Sequence, residues 1–202
     1  MEMALDKTAD FWDWFASNQF YLVPDKITNE LVAQLDAKIL SLGDFGWEIR
    51  EGKDKENMLI ISPSGNPELL KTTKGIIDKA PDLPVWEFCH YKPAKDWDFK
   101  LSVEEGANIK RMIDVSEWQY VLLKFPDGTY DMLLKADNIG KLPNNEKNVM
   151  ADIVLESILG EKLSLELIKN IEFVNDFSEE YQSKKTSVRH LKNHIFDMEA
   201  IS

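Results

Sequence analysis

Two histidines near the C-terminus have the spacing of a helical metal site. His190 and His194 are four residues apart, so in a helix they share one face, and two such histidines can hold zinc. Residues 191–193 are Leu-Lys-Asn, without the glutamate that follows the first histidine in a metalloprotease helix. A third ligand would have to come from elsewhere, for example Asp197. The pattern is more typical of a solvated helix face, so we expect no metal and no cofactor.

A strand and the loop after it hold a second group of candidates. Trp86 and His90 are four residues apart and lie on one face of the predicted strand, where they could line a cleft. The loop 91–98 adds Lys92 and Trp97. A large aromatic residue in a polar loop either packs beneath that loop or contacts a partner. These four residues are the candidates for partner or ligand binding.

No pairing of a nucleophile with a base emerges from the sequence. Cys89 and His90 are adjacent, so in a strand they point to opposite faces and cannot act on each other. Residues 62–66, Ser-Pro-Ser-Gly-Asn, lie where a strand runs into a helix but lack the Gly-x-Ser-x-Gly pattern of a nucleophile elbow. A glycine-rich phosphate loop with its lysine is missing too. We therefore predict no catalytic residue.

The helices and strands that position these residues are predicted from the spacing of apolar residues. That spacing is typical of a helix in some segments and of a strand in others. Phe11, Trp12 and Phe15 share a helical face near the N-terminus, and Gly43 stops a second helix over 28–42. The remaining predicted elements of the first half are a strand around Trp47 and Ile49, a central strand at Met58–Ile61, a helix capped by Asn66, and a strand over Val85–Tyr91.

The second half repeats this order. A strand over Trp118–Phe125, a turn at Pro126–Gly128 and a strand over Thr129–Lys135 form a hairpin, and a strand at Ile168–Val174 closes the series. Between them lies a helix over Asn144–Leu159, which Gly160 caps. Its spacing predicts five residues facing inward: Val149, Met150, Ile153, Val154 and Ile158.

These elements predict an α+β fold, with a mostly antiparallel sheet, helices packed on one face, and extra helices at the N- and C-termini. The order strand, hairpin, strand, helix, strand over 46–92 and 117–175 indicates either a ββαβ pseudo-duplication or two uses of a common local arrangement. We predict a single domain over 1–177. Residues 178–202 are predicted to form a separate amphipathic helix with Val188, Leu191, Ile195 and Met198 on its apolar face.

The composition narrows the classes of function. The 202 residues include 36 acidic and 24 basic side chains, a net charge of −12. The charge divides evenly, with 18 acidic and 12 basic residues in each of 1–100 and 101–202. This acidity argues against nucleic acid as a partner. A single cysteine, an N-terminus without signal-peptide features and the lack of a long apolar run predict a cytoplasmic protein with no membrane contact.

Three stretches resemble an uncharacterised family of bacterial proteins. They are Phe-Trp-Asp-Trp-Phe at 11–15 with Asn18, then 60–62 through the following helix to Ala-Pro-Asp-Leu-Pro-Val-Trp at 80–86, and 155–161 ending in Leu-Gly-Glu. The resemblance covers most of 11–175. It implies a bacterial cytoplasmic α+β protein with no established activity, and it transfers no catalytic residue.

Three functions remain open at this point. The first is a non-enzymatic, acidic protein-interaction module that binds another protein, a basic one by charge complementarity. The second is a small hydrolase-like enzyme with a cleft near Trp86, His90 and Trp97. The third is a structural homodimer that uses an exposed sheet face or edge strand.

Overall fold

The computed structural model describes residues 2–105 and 109–200. The chain divides into two compact units, Met1–Lys92 and Pro93–Ser202. Both combine helices with mostly antiparallel strands, so the predicted α+β fold is confirmed. Within the described residues, no helix is both long enough and apolar enough to cross a bilayer.

The first unit is a three-stranded sheet with three helices. Strand β2 lies at the centre, antiparallel to β1 and parallel to β3, and all six of its residues are buried, as predicted for a central strand. The elements are α1 (Glu2–Asn18), α2 (Asn29–Leu42), β1 (Gly46–Glu51), β2 (Asn57–Ser62), α3 (Leu70–Ile77) and β3 (Trp86–Cys89).

Local signals in the sequence account for the helix ends of this unit. Helix α2 begins after Thr28, whose hydroxyl oxygen accepts a hydrogen bond from the Leu31 amide at 3.3 Å, and ends before Gly43. The Asn66 side chain accepts from the Glu68 amide at 3.0 Å and starts a short 3-10 helix that leads into α3. The predicted cap at Asn66 is confirmed, and α2 begins one residue after the predicted start at residue 28.

Aromatic side chains of α1 form the core of the first unit. Phe11, Trp12 and Phe15 are buried, which confirms their predicted shared face. The Trp12 indole donates a hydrogen bond to the Ile76 carbonyl at 3.0 Å. The Phe15 ring meets the Trp86 ring edge to face, with centroids 4.9 Å apart. These contacts attach α1 to both α3 and β3.

The second unit contains two sheets. Strands β4 and β5 form an antiparallel pair, and a four-stranded sheet has the order β8-β7-β6-β9, with β7 and β8 parallel. The elements are β4 (Lys100–Glu105), β5 (Ile109–Asp114), β6 (Gln119–Lys124), β7 (Tyr130–Lys135), α4 (Asn144–Leu159), α5 (Glu161–Leu167), β8 (Ile168–Phe173), β9 (Thr186–Ser187) and α6 (Leu191–Ala200).

Two glycines set the breaks in this unit. Gly128 has φ +84° in the turn between β6 and β7, and Gly160 has φ +82° between α4 and α5. Both values lie in the region that residues with a Cβ rarely adopt. The amide of Gly160 donates to the Glu156 carbonyl at 2.8 Å, so it ends α4 where the sequence predicts.

The domain boundary predicted from the sequence differs from the boundary between the two compact units. The final helix begins at Leu191, after turns, strand β9 and a short 3-10 helix, whereas the sequence predicts it from residue 178. Val188, Leu191 and Ile195 are buried in the main core of the second unit, so their apolar spacing serves that core. No boundary at residue 177 separates this helix from the unit that begins at Pro93.

The two units share one local arrangement. In each, an antiparallel pair is followed by helix and then by a strand parallel to the second strand of the pair: β1-β2-α3-β3 and β6-β7-α4-α5-β8. The second unit adds β4, β5, β9 and α6, which have no counterpart in the first. The pseudo-duplication is therefore not confirmed.

Candidate functional site

The predicted candidates in the first unit belong mainly to its packing. Trp86 is completely buried, and its indole donates to the Gln19 carbonyl at 3.1 Å, so it has no surface to offer a ligand. His90 is half-buried, with its ring edge to face against Tyr91 at 4.7 Å, and its carbonyl accepts from the Thr73 hydroxyl at 2.9 Å. Lys92 is half-buried at the end of the unit.

Trp97 lies in the second unit and packs inward there. It is half-buried against the main core, with its ring 5.3 Å from that of Phe99. Of the two alternatives for this aromatic residue, its contacts with the main core favour packing over contact with a partner. The cleft predicted near Trp86 therefore loses the accessible indole on which it depends.

Cys89 is also a weak candidate for chemistry. Burial raises the pKa of its thiol above the ordinary value, with smaller opposing effects from backbone hydrogen bonds. The nucleophilic form of cysteine is the thiolate. A raised pKa lowers the fraction of Cys89 that is thiolate at neutral pH.

His194 has a protein partner in the structure. Its Nδ1 lies 2.8 Å from the Tyr120 hydroxyl, at hydrogen-bond distance, which leaves only Nε2 for a metal. His190 is exposed and precedes α6 in a short 3-10 helix. In the described part of the chain, no group of three or more histidine, cysteine, aspartate or glutamate side chains is placed to hold a metal ion.

A groove lies between β4 and α4 in the second unit. It has a volume of about 420 Å³. We call it the β4–α4 groove. Its lining residues are Leu101, Ser102 and Val103 from β4, and Asn145, Glu146, Val149, Met150 and Ile153 from α4. Five of these eight residues are aliphatic or Met, so the groove can hold apolar side chains.

Helix α4 supplies the apolar wall because its apolar residues cover more than one face. Val149 is 57% exposed and Ile153 is 42% exposed, so the prediction that both face the core is wrong. Met150, Val154 and Ile158 are buried as predicted and already fill the inner face of the helix. Val149 and Ile153 are four residues apart and form a second stripe along the groove.

The other wall is the edge of a strand. Among the strands that the structure describes, β4 pairs only with β5, so one of its edges has no strand beside it. Side chains alternate between the faces of a strand. Leu101, Ser102 and Val103 all line the groove, so it follows β4; Leu101 and Val103 share one face of the strand and also pack against the main core. The groove thus combines backbone hydrogen-bonding groups with aliphatic side chains.

Two other depressions are more polar. One of about 390 Å³ in the first unit is lined in part by Phe20, Asp25, Lys26 and Glu56. Another of about 220 Å³ in the second unit includes Asp152, and burial raises the pKa of its carboxyl. One acid with a raised pKa is not a catalytic arrangement without a group on which it acts.

Comparison with known proteins gives no further guide to the site. The chain matches no protein-family model, no curated protein and no solved structure. The resemblance to an uncharacterised bacterial family therefore stays an expectation, and the functional argument rests on the residues of this chain.

Proposed function

We propose that the protein is a non-enzymatic protein-interaction module and that the β4–α4 groove is its binding surface. The observation that carries the proposal is the exposure of Val149 and Ile153 beside an edge of β4 that none of the described strands pairs with. Exposed apolar residues grouped in a groove are typical of surfaces that bind another protein. Isolated exposed apolar residues would carry no such meaning.

The walls of the groove favour an extended segment as the occupant. A strand edge recognises an incoming strand through backbone hydrogen bonds, and neighbouring pockets select every second side chain. Here β4 would supply the backbone groups, while Val149 and Ile153 would contact the apolar side chains of the added strand. The proposed ligand is therefore an extended peptide with alternating apolar residues.

The net charge indicates what should flank that segment. Residues 93–202 contain 20 acidic and 14 basic side chains, and Glu146 lies in the groove wall. Basic flanks on the peptide would be attracted to this unit, and the attraction would weaken as salt rises. The basic partner and the cytoplasmic location expected from the sequence belong to this proposal.

A labelled peptide tests the proposal. We would use alternating valine and threonine with lysines at both ends, and measure binding by fluorescence anisotropy. We expect saturable binding that Val149→Asp weakens on the order of tenfold, a loss of about 1.4 kcal/mol. A peptide with proline in place of threonine should not bind, because proline lacks the amide that pairs with β4.

The matched control variant is Leu40→Asp. Leu40 is 64% exposed on α2 of the first unit, so the same exposed apolar-to-acid change occurs there outside the groove. Leu40→Asp should bind the peptide like the unchanged protein. Equal weakening by both variants would show that binding does not depend on the groove and would overturn its assignment.

A further inference from the structure

We infer that the first unit binds a guanidinium group in its cavity of about 390 Å³, which lies between the loop after α1 and the turn end of the β1–β2 hairpin. The volume falls within the range of about 300–1,000 Å³ that is usual for ligand pockets. All of its lining residues belong to the first unit, so the inference does not rest on the groove of the second. The lining residues that carry the argument are Phe20, Asp25, Lys26, Glu51, Glu56 and Asn57.

Asn57 is a polar residue on the face of β2 that packs against the core. Side chains alternate along a strand, so Asn57 shares this face with Leu59 and Ile61, which both belong to the core of the first unit. Asn57 is only 8% exposed, and its Nδ2 donates a hydrogen bond to the Val85 carbonyl at 3.3 Å. Among the described residues, no donor meets its Oδ1. Because Asn57 lines the cavity, a donor bound there can satisfy this oxygen.

The carboxylates around Asn57 favour a cation as that donor. Glu51 pairs with Asn57 in the antiparallel register of β1 and β2, so the two side chains project from the same face, with Cβ atoms about 5 Å apart. Asp25 and Glu56 line the cavity from the loop and from the hairpin turn. Lys26 is the one basic residue of the described lining. Three carboxylates and one ammonium group give the lining a net charge of −2.

The ring of Phe20 favours guanidinium over other cations. Phe20 is 64% exposed and lines the cavity, whereas Phe11 and Phe15 of the preceding helix are buried in the core. A guanidinium group is planar, so it can stack on an aromatic ring while its five N–H donors reach carboxylate and amide oxygens in its own plane. An ammonium group has three donors and no flat face. The exposed ring, the carboxylates and the amide oxygen together therefore fit a guanidinium group.

NMR titrations of the full isotope-labelled chain test the chemistry of the site. We expect Nα-acetylarginine amide to cause saturable shift changes at the amides of Phe20, Glu51 and Asn57. Nα-acetylcitrulline amide has nearly the same shape without the charge, and it should bind on the order of tenfold more weakly. Nα-acetyllysine amide has the charge without the planar group, and it should bind about three- to fivefold more weakly. Equal binding of either control would overturn the inference.

Variants of exposed residues test each wall of the cavity. Glu51→Gln should weaken the binding of Nα-acetylarginine amide on the order of tenfold. Phe20→Leu keeps an apolar side chain but removes the ring, and it should weaken binding about three- to fivefold. Lys26→Gln removes the competing cation and should strengthen binding about twofold to threefold. The matched control is Glu68→Gln, the same change at an exposed residue outside the cavity, which should leave binding unchanged.

The variants also supply results that would overturn the site. Circular dichroism first confirms that each variant is folded. Equal weakening by Glu51→Gln and Glu68→Gln would show that only the net charge of the protein attracts the cation. Unchanged binding by Phe20→Leu would exclude stacking, and weaker binding by Lys26→Gln would contradict the competition between cations. Each of these results would overturn the inference.

Methylguanidine, titrated in the same way, distinguishes the two sources of a guanidinium group. Tighter binding of Nα-acetylarginine amide would identify an arginine side chain of another protein as the ligand, and tighter binding of methylguanidine would identify a free guanidine. Either result supports the guanidinium site. Val149→Asp should change neither titration, because Val149 lines the groove of the second unit. Failure of this site and failure of the proposed function are therefore distinguishable.

Discussion

Neighbouring residues of α4 should differ sharply in their contribution to stability. Ile153 is 42% exposed and lies in the groove wall, whereas Val154 is 2% exposed and lies in the core. We compare Ile153→Ala with Val154→Ala. If the groove is a binding surface rather than part of the core, the larger side chain should be the cheaper one to remove.

The expected magnitudes follow from burial. Val154→Ala removes two buried methyl groups, about 1.6 kcal/mol in transfer free energy, and the cavity raises the total to about 2–3 kcal/mol. Ile153→Ala removes more carbon, but much of it is already in water. Alanine also has a higher helix propensity than isoleucine, which stabilises the helix by about 0.4 kcal/mol and offsets part of the loss. We expect Ile153→Ala to lower the free energy of unfolding by about 0.5 kcal/mol or less.

Urea denaturation followed by circular dichroism measures both free energies of unfolding. The protein is kept dilute, so that any contact between copies does not contribute. A matched loss of about 2–3 kcal/mol in both variants would show that Ile153 is a core residue. The groove would then lack an exposed apolar wall, and the reasoning would be refuted.

Three further predictions concern the rest of the fold. Trp12→Phe should destabilise the first unit by about 2–3 kcal/mol in a thermal melt, because it leaves the Ile76 carbonyl without its donor and opens a cavity; an unchanged melting temperature would contradict the contact. Gly160→Ala should cost about 1 kcal/mol, since φ is +82° there; a stabilised variant would exclude that conformation. Hydrogen bonds from the Thr129 hydroxyl and amide lower the pKa of Asp127. Its stabilising effect is therefore present above the ordinary aspartate pKa and is lost as pH falls through the lowered value. Asp127→Asn should reduce the free energy of unfolding at pH 7 more than at pH 2 in urea titrations, and an equal reduction at both would contradict this.

The helices with clear end signals could be predicted from the sequence. Helix α4 occupies Asn144–Leu159 as predicted, because a long periodic segment ends at a glycine with positive φ. Helix α2 begins after Thr28 for a similarly local reason. Such signals depend on residues that are close together in the chain, so contacts with distant parts of the chain do not change them.

The candidate site depends on contacts that local patterns do not encode. Spacing identifies Val149 and Ile153 as apolar residues on a helix, but the elements available to cover them are decided by the whole unit. Strands β4 and β5 were not predicted, although Leu101 and Val103 alternate with polar residues in β4. Strands of six residues give a weak alternation signal. The groove appears only when this strand and α4 are placed side by side.

Two tryptophans that the sequence offers as binding residues belong to the packing of the protein. Trp86 and Trp97 are large aromatic residues, and both pack inward because burial of such side chains dominates core energetics. Trp86 is a candidate in the sequence because it shares a strand face with His90, and Trp97 is one because it lies in a polar loop. Residue type alone could not separate a recognition contact from packing.

Hydrogen exchange at single segments tests the binding surface most directly. The lysine-flanked valine–threonine peptide is added in excess, and amide exchange is followed by mass spectrometry across both units. We expect slower exchange along β4 at Leu101–Val103, no change in β8, and less protection in the Val149→Asp variant at the same peptide concentration. Protection confined to other segments, or equal protection in Val149→Asp, would contradict the β4–α4 groove as the binding surface.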